Sequence, residues 1–440
     1  MTGFFGANSS GKSSLLQLFL LLKQTVQSPD ASKILDLGGD SNALVSVGGW
    51  RNLVFGRSSY QSVEFGFRWV PSRISAVDIP EVDDFLVMLP TLAFNTELRV
   101  WPDSAFLSRL NYESDQFDVK WIRRHALGDQ VRVSLEATRN DKENFLRRLE
   151  GAKPGLPAPI HCYGFPNELV GRFENADFLR DLHLELEQQF EKRLFYLGPH
   201  RDRGQRRYAW QGGRPADVGP SGERTVDALL ASRYRGRNNV ALLASDGKPE
   251  ELISVEEQVA RMLRDVGLVS EFSVERASEG SELYRVKVQL SRDSVPVDLT
   301  DVGFGVSQLL PLLVLLAYVP EGSTLLLEQP EMHLHPRIQS KLADVLIDLT
   351  KTRKLQIILE SHSEHLLMRM QRRTAEQEIP HGHVALYFCE NNGVESSLSQ
   401  LQLDECGSIG NWPKDFFGDA MGETAAIVSA GLRHRAETEA

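Results

Sequence analysis

Gly6-Ala7-Asn8-Ser9-Ser10-Gly11-Lys12-Ser13 stands near the start of a 440-residue chain, and its reading decides the fold. The octet fits G-x-x-x-x-G-K-[ST] at every fixed position. Gly6 and Gly11 let the backbone curl so that successive N–H groups face an anion. Lys12 supplies a point charge for β/γ-phosphates, and Ser13 a hydroxyl for Mg²⁺. The following run, Ser14 to Leu22, is apolar nearly all round, as a helix buried in a large domain must be. Its positive N-terminal end would face the anion. The alternative is a chance Gly/Ser loop before a core helix. Only Met1–Phe5 precede the octet, a stub where a β-strand is expected. Either the start codon is placed late or the sheet lacks its usual N-terminal hairpin.

Composition bounds the rest. At 440 residues, 41% hydrophobic and 25% charged, the chain has a globular balance and length for two to three domains. Its 49 Lys+Arg against 60 Asp+Glu give a net charge of -11, which excludes a globally basic nucleic-acid binder but not a local basic face. Cys162, Cys389 and Cys406 form no disulfide framework and no CxxC pair, consistent with a reducing cytoplasm. The longest apolar runs, Leu15–Leu22 (broken by Gln17) and Leu309–Val319, fall short of the ~20 residues of a membrane span. The N-terminus lacks the pattern of a signal peptide.

Three later stretches carry chemistry. Thr324–Leu327 reads as a short buried strand ending in an acid, Glu328, the expected second Mg²⁺ anchor. Gln329-Pro330-Glu331-Met332-His333-Leu334-His335-Pro336 follows, then an amphipathic helix, Arg337–Leu349. Leu355–Leu359 reads as a second apolar strand, closing on Glu360-Ser361-His362-Ser363-Glu364-His365. A His just past such a strand can reach a γ-phosphate; the plainer reading is a polar turn with Ser361 or Ser363 as N-cap. Upstream, Gly303-Phe304-Gly305-Val306-Ser307-Gln308 leads into the apolar helix Leu309–Val319, a further N-terminus with free N–H groups. His333 and His335 with His362 and His365 could suggest a zinc hydrolase, but Pro336 and the surrounding pattern argue against it.

The order of phosphate loop, Gly/Ser helix start, acid strand with Pro-Glu-x-His-Leu-His-Pro, then Ser-His-Ser resembles the ABC-type ATPases of the SMC, RecF and OLD class. The Glu328–Pro336 and Glu360–Leu367 runs, Tyr196–Asp202, Asp217–Pro220 and the tail Leu403–Phe417 resemble one bacterial AAA/OLD-like subfamily with a small uncharacterised C-terminal extension. The resemblance covers residues 1–60 and about 190–420. It implies an α/β fold: an ABC/SMC-like P-loop ATPase head with a mixed central sheet, an antiparallel β subdomain and a small inserted helical lid. It implies ATP and Mg²⁺ as cofactors, with Gly6, Asn8, Ser9, Ser10, Gly11, Lys12, Ser13 and Ser14 on ATP and Ser13 and Glu328 on the metal. Two heads would pair head-to-tail, Gly303, Gly305, Ser307 and Gln308 meeting the partner's nucleotide, with His362 as the switch histidine. The implied role is motor or sensor in a DNA-repair or anti-phage defence complex with a separate effector such as a nuclease.

The chain departs from that class where the usual Asp-Glu becomes Glu328-Gln329. Glutamine cannot take a proton at neutral pH, though it can orient a water. Hydrolysis is then slow or uses another carboxylate, Glu331 first and Glu360 second. The rival is a non-hydrolysing, ATP-gated scaffold that restrains a partner nuclease. The adenine-side glutamine stays open, since Val47–Leu53 carries none and Gln61 comes later.

The expected domains are 1–60 (N-terminal ATPase lobe), 61–190 (peripheral strands and lid), 191–375 (C-terminal lobe) and 376–440 (extension). Phe178, Leu182, Leu186, Phe190 and Leu194 predict one amphipathic helix. No heptad run supports a long coiled coil. Residues 192–237 hold eleven Lys/Arg against four acids, a +7 segment read as a DNA face, as arginines that meet ATP across a dimer, or as a solvated loop.

Overall fold

The computed structural model describes the chain except residues 41–42, 58–60, 72–90, 126–130, 140–143, 145, 152–154, 175, 236–239, 244–248, 414–415, 417–425 and 431–440. It divides into two compact units, 1–16 with 195–440, and 17–194.

The first unit is built on a six-stranded sheet. Its strands are β1 (Thr2–Gly6), β2 (Leu194–Leu197), β3 (Thr324–Glu328), β4 (Gln356–Glu360), β5 (Ala385–Asn391) and β6 (Ser396–Leu401), in the order β6-β5-β1-β4-β3-β2. The pairs β1–β4, β1–β5 and β3–β4 are parallel, and β5–β6 is an antiparallel hairpin, so the sheet is mixed. Leu325–Leu327 and Ile357–Leu359 are apolar at successive positions because both faces of these parallel strands are covered. The short N-terminal strand is no sheet edge, since β4 and β5 flank it on either side. The extension is no separate body at β5 and β6, which complete this sheet.

Helix α1 (Lys12–Gln27) starts in this unit at the phosphate loop. α2 (Thr225–Arg235), α3 (Val255–Val266), α4 (Phe304–Tyr318), α5 (Pro336–Thr352) and α6 (Glu364–Ala375) follow. α4 starts five residues before the apolar run predicted for it, and Val306 and all of Gln308–Tyr318 are buried. Pro311 sits inside α4 and has no N–H for the carbonyl of Ser307. α5 begins where expected because His335 Nδ1 caps the N–H of Arg337 at 3.2 Å and Pro336 takes the first helical position. An antiparallel sheet of Glu271–Arg276, Leu283–Gln289, Val297–Asp298 and Tyr208–Ala209 completes the unit.

The second unit carries a five-stranded antiparallel meander, Gln61–Trp69, Leu92–Val100, Ala105–Glu113, Phe117–His125 and Val131–Arg139. Leu92, Phe94, Leu110, Tyr112 and Trp121 are buried in it. Its helices are Asn167–Val170 and Phe178–Gln188. The helix predicted to reach Leu194 ends sooner, in a π-helical turn over Gln189–Arg193, before a strand begins at Leu194. Lys23 explains the stop. Its buried ammonium collects the carbonyls of Phe190 and Leu194, each at 2.8 Å, carbonyls that a regular helix would have bonded internally.

Candidate functional site

Parallel pairing sets the site. Phe4 lies opposite Glu360, and Glu328 lies opposite Glu360 on the other side. The C-terminal ends of β1, β4 and β3 therefore meet along one edge, where ligands bind open α/β sheets. Gly6, at φ 142°, has its α-carbon against the Cys389 carbonyl of β5, and a Cβ there would collide with it. Gly11 turns at φ 91°. Ser9, a non-glycine, holds φ 60°, a strain of order 1–3 kcal/mol that a neighbouring structure must hold in place.

A cleft of about 510 Å³ opens there, lined by Asn8, Ser9, Ser10, Gly11, Lys12, Ser13, Ser14, Gln329, Glu360 and His362. That volume suits a small-molecule site. Lys12 is 3% exposed, its Nζ donating to the Gly6 carbonyl at 3.1 Å and the Ala7 carbonyl at 2.7 Å. Burial lowers its pKa, while Glu360, the Cys389 thiol and Glu331 raise it. Burial pushes that thiol up to about 11. His362 is held below its ordinary value by burial and by Lys12, against a ring hydrogen bond with the Gly6 backbone. The imidazole is therefore neutral at pH 7.

The strand-end acids differ in their surroundings. Glu328 Oε1 accepts from the Tyr196 hydroxyl at 3.0 Å. Burial raises its pKa and Glu360 adds to this, while the Tyr196 bond lowers it. Gln329 follows in a left-handed conformation (φ 44°), its N–H donated to the Glu360 carbonyl at 2.9 Å. Glu360 is 3% exposed, and its Oε2 has no hydrogen-bond partner among the described residues. Glu331, the first choice for a base on sequence grounds, does not line the cleft. Its Oε1 instead accepts the backbone N–H of His362 at 2.8 Å, in a buried setting that raises its pKa. Ser363 caps α6 by accepting from Leu366 N–H at 3.0 Å, so the turn is both a helix start and a wall of the cleft.

Gly303, Gly305, Ser307 and Gln308 stand at the start of α4 and do not line the cleft. Gly303 is exposed and caps the helix, Gly305 and Ser307 are partly exposed, and Ser307 Oγ donates to the Phe304 carbonyl at 3.0 Å. Gln308 is buried.

Sequence reasoning left Arg201 in a basic segment read as a DNA face, as arginines that meet ATP across a dimer, or as a solvated loop; the structure buries it. Arg201 is 8% exposed and donates from Nη1 to the Gln308 carbonyl at 2.9 Å, with the Pro330 carbonyl at 3.5 Å. Burial lowers its pKa to about 10, against the pull of Glu331, so it keeps its charge at neutral pH. Arg201 is thus bonded to the start of α4 and attracted through space by Glu331, which holds the amide of His362. Its only sequence signal was an arginine directly after Gly198-Pro199-His200. Elsewhere in 192–237, Arg206 pairs with Asp301, Arg224 with Glu223 and Arg233 with Glu256. Tyr208 and Trp210 are packed against the unit's core. Arg237 lies outside the described residues. Three of the segment's eleven basic residues are thus ion-paired within the chain. Among the described residues no group of three His, Cys, Asp or Glu could hold a metal, and no helix is long and apolar enough to cross a membrane.

Residues 1–369 match a family described as "AAA domain, putative AbiEii toxin, Type IV TA system". Residues 379–427 match a second, "Protein of unknown function (DUF3696)". No curated protein matches the chain. Similar solved structures include an Smc head bound to the C-winged helix domain of ScpA, at 10% identity and TM-score 0.43, covering 91% of this chain and 90% of that one. A Pyrococcus furiosus Smc head with an extended coiled coil, bound to the C-terminal domain of ScpA, has 10% identity and TM-score 0.42, over 98% and 93%. The SMC head domain from Thermotoga maritima has 9% identity and TM-score 0.33, over 91% and 90%.

Proposed function

The chain belongs to this AAA-domain family; from that premise we propose that it is a P-loop ATPase head of the SMC and RecF-like class that closes as a homodimer around Mg-ATP and hydrolyses it slowly. The observation that carries the reading is that Lys12, Gln329, Glu360 and His362 line one cleft with residues 8–14. A buried lysine, a helix N-terminus and paired acids on neighbouring strands fit a magnesium nucleotide. Asn8, Ser9, Ser10, Gly11, Lys12 and Ser14 would hold the phosphates, and Ser13 and Glu328 the metal. Mg²⁺, when bound, offsets charge on the β- and γ-phosphate oxygens.

The chain's own groups do the rest. Gln329 orients the attacking water but takes no proton. We assign the base to Glu360, supported by its place on the cleft and its unpartnered Oε2. Glu331 braces the His362 turn. His362 donates to the γ-phosphate as the switch residue. Gly303, Gly305 and Ser307 of a second copy cover the nucleotide, in keeping with their exposure at a helix start. The role that follows is motor or sensor for a separate effector such as a nuclease in DNA repair or phage defence. The toxin–antitoxin name of the family supports an effector partner. DNA on the basic segment 192–237 stays part of this reading, carried by the basic residues outside the three ion pairs.

A non-hydrolysing, ATP-gated scaffold is the second reading, and Gln329 in place of an acid favours it. Phosphate release with Mg²⁺, wild type against Lys12→Ala, tests the proposal. Slow turnover that Lys12→Ala abolishes is expected. ATP binding without any release selects the scaffold, and no ATP binding refutes both.

A further inference from the structure

The C-terminal hairpin of β5 and β6 touches the phosphate loop at four points. Cys389 lies opposite Gly6 in the β1–β5 ladder. Its thiol is close enough to Lys12 for each to shift the other's titration. A Cβ on Gly11 would meet Ser396 Oγ at 3.1 Å and Ser396 Cβ at 3.2 Å. Most specifically, Asn391 Nδ2 donates to the Ser9 carbonyl at 3.3 Å and to Ser396 Oγ at 3.1 Å. Asn391 Oδ1 meanwhile accepts from Gly393 N–H at 2.7 Å, which closes the hairpin turn. Asn391 is therefore bound on one side to its own turn and on the other to the loop.

We propose that this hairpin, through Asn391, is a positioning element of the nucleotide site that sets the phosphate loop in its binding shape. Ser9 is the one non-glycine residue between Gly6 and Lys12 with a positive φ. The peptide after it is planar and trans, so its C=O and N–H point opposite ways. Holding the Ser9 carbonyl against the hairpin thus turns the Ser10 N–H away from the hairpin, where a curled loop needs it for an anion. A preset loop spares the nucleotide the cost of ordering it, which appears as affinity rather than as chemistry. The inference rests on the ATP reading and gives the segment 379–427 a part in it.

The test uses the full chain and a fluorescent ATP analogue with Mg²⁺. Asn391→Ser keeps an oxygen for the Gly393 N–H but is too short to reach Ser9. We expect its Kd to rise about fivefold to tenfold, with kcat at saturating ATP and the melting temperature unchanged. Asn391→Asp keeps the turn and cannot donate, and adds a negative charge beside the phosphates, so its Kd should rise further. Asn391→Gln retains the amide donor and should recover part of the loss. A Kd for Asn391→Ser within twofold of wild type overturns the inference while leaving the ATP reading intact. So does a loss carried by kcat and melting temperature together, which marks a merely structural role. Wild-type protein that binds no nucleotide removes the ATP reading, and this inference with it.

Discussion

Arg201 offers the sharpest test of how the site is held together. Replacing it with Met removes a buried guanidinium that donates to the Gln308 carbonyl at 2.9 Å and faces the buried Glu331 carboxylate. A hydrogen bond from a charged group contributes about 1.5–3 kcal/mol. Glu331 would still hold the His362 N–H, and it can take up a proton, since burial already raises its pKa. A loss of up to about 3 kcal/mol is therefore expected. Glu331→Gln keeps an oxygen for His362 but strands the arginine, so a similar loss is expected. The double variant Arg201→Met/Glu331→Gln leaves no unpaired charge and should cost less than the sum by about 1–3 kcal/mol. Hydrogen exchange across residues 356–367 reads this where it matters. A 3 kcal/mol loss is about a hundredfold faster exchange at the His362 amide, with residues 92–121 as an internal reference. Strict additivity of the two single variants, or exchange at His362 within twofold of wild type in Arg201→Met, would falsify the coupling.

Three further outcomes follow from the same geometry. Glu360→Gln should lower kcat by at least about a hundredfold while leaving ATP affinity within about threefold, whereas Glu331→Gln should retain measurable turnover; single-turnover phosphate release distinguishes them. Glu328, raised above its ordinary 4.5 chiefly by burial, binds its proton more tightly in the folded chain than in the unfolded one. Its contribution is thus fully favourable below about pH 4.5 and is lost as pH rises through the folded value, so Glu328→Gln should gain stability relative to wild type between pH 4.5 and 7, read from urea midpoints. Gly222 sits at φ 76°, and an added Cβ would come within 2.5 Å of Pro311 Cβ. Gly222→Ala should cost about 2–4 kcal/mol, seen as a lowered thermal midpoint; a change below about 0.5 kcal/mol would contradict that packing.

Local chemistry was legible in the sequence, and long-range pairing was not. Gly6, Gly11 and Lys12 could be read because a phosphate loop is specified by eight consecutive residues. Glu328 and Glu360 could be read as strand ends, since buried parallel strands are apolar throughout and then stop at a charge. That these two acids lie side by side was not readable, because register between strands 32 residues apart leaves no mark in either. Glu331 looked like a base by spacing alone; its burial against His362 depends on how the Pro330 turn folds. Arg201 looked like surface charge because buried and exposed arginines have the same letter. The helix predicted to reach Leu194 failed for a similar reason. A four-residue apolar repeat cannot announce that Lys23, far back in the chain, will take the carbonyls that would have continued it.

The placing of β1 between β4 and β5 has a consequence for synthesis. Thr2 pairs with Ile358 on one side and Ala385 on the other, so the strand that launches the phosphate loop has no neighbours until nearly the whole polypeptide has left the ribosome. At 5–20 residues per second that is a wait of roughly 20–80 s. Through it Phe5, buried in the finished core, stays open to solvent or to a chaperone. Translation ending ahead of β5 therefore releases a chain whose first strand has a partner on one side only.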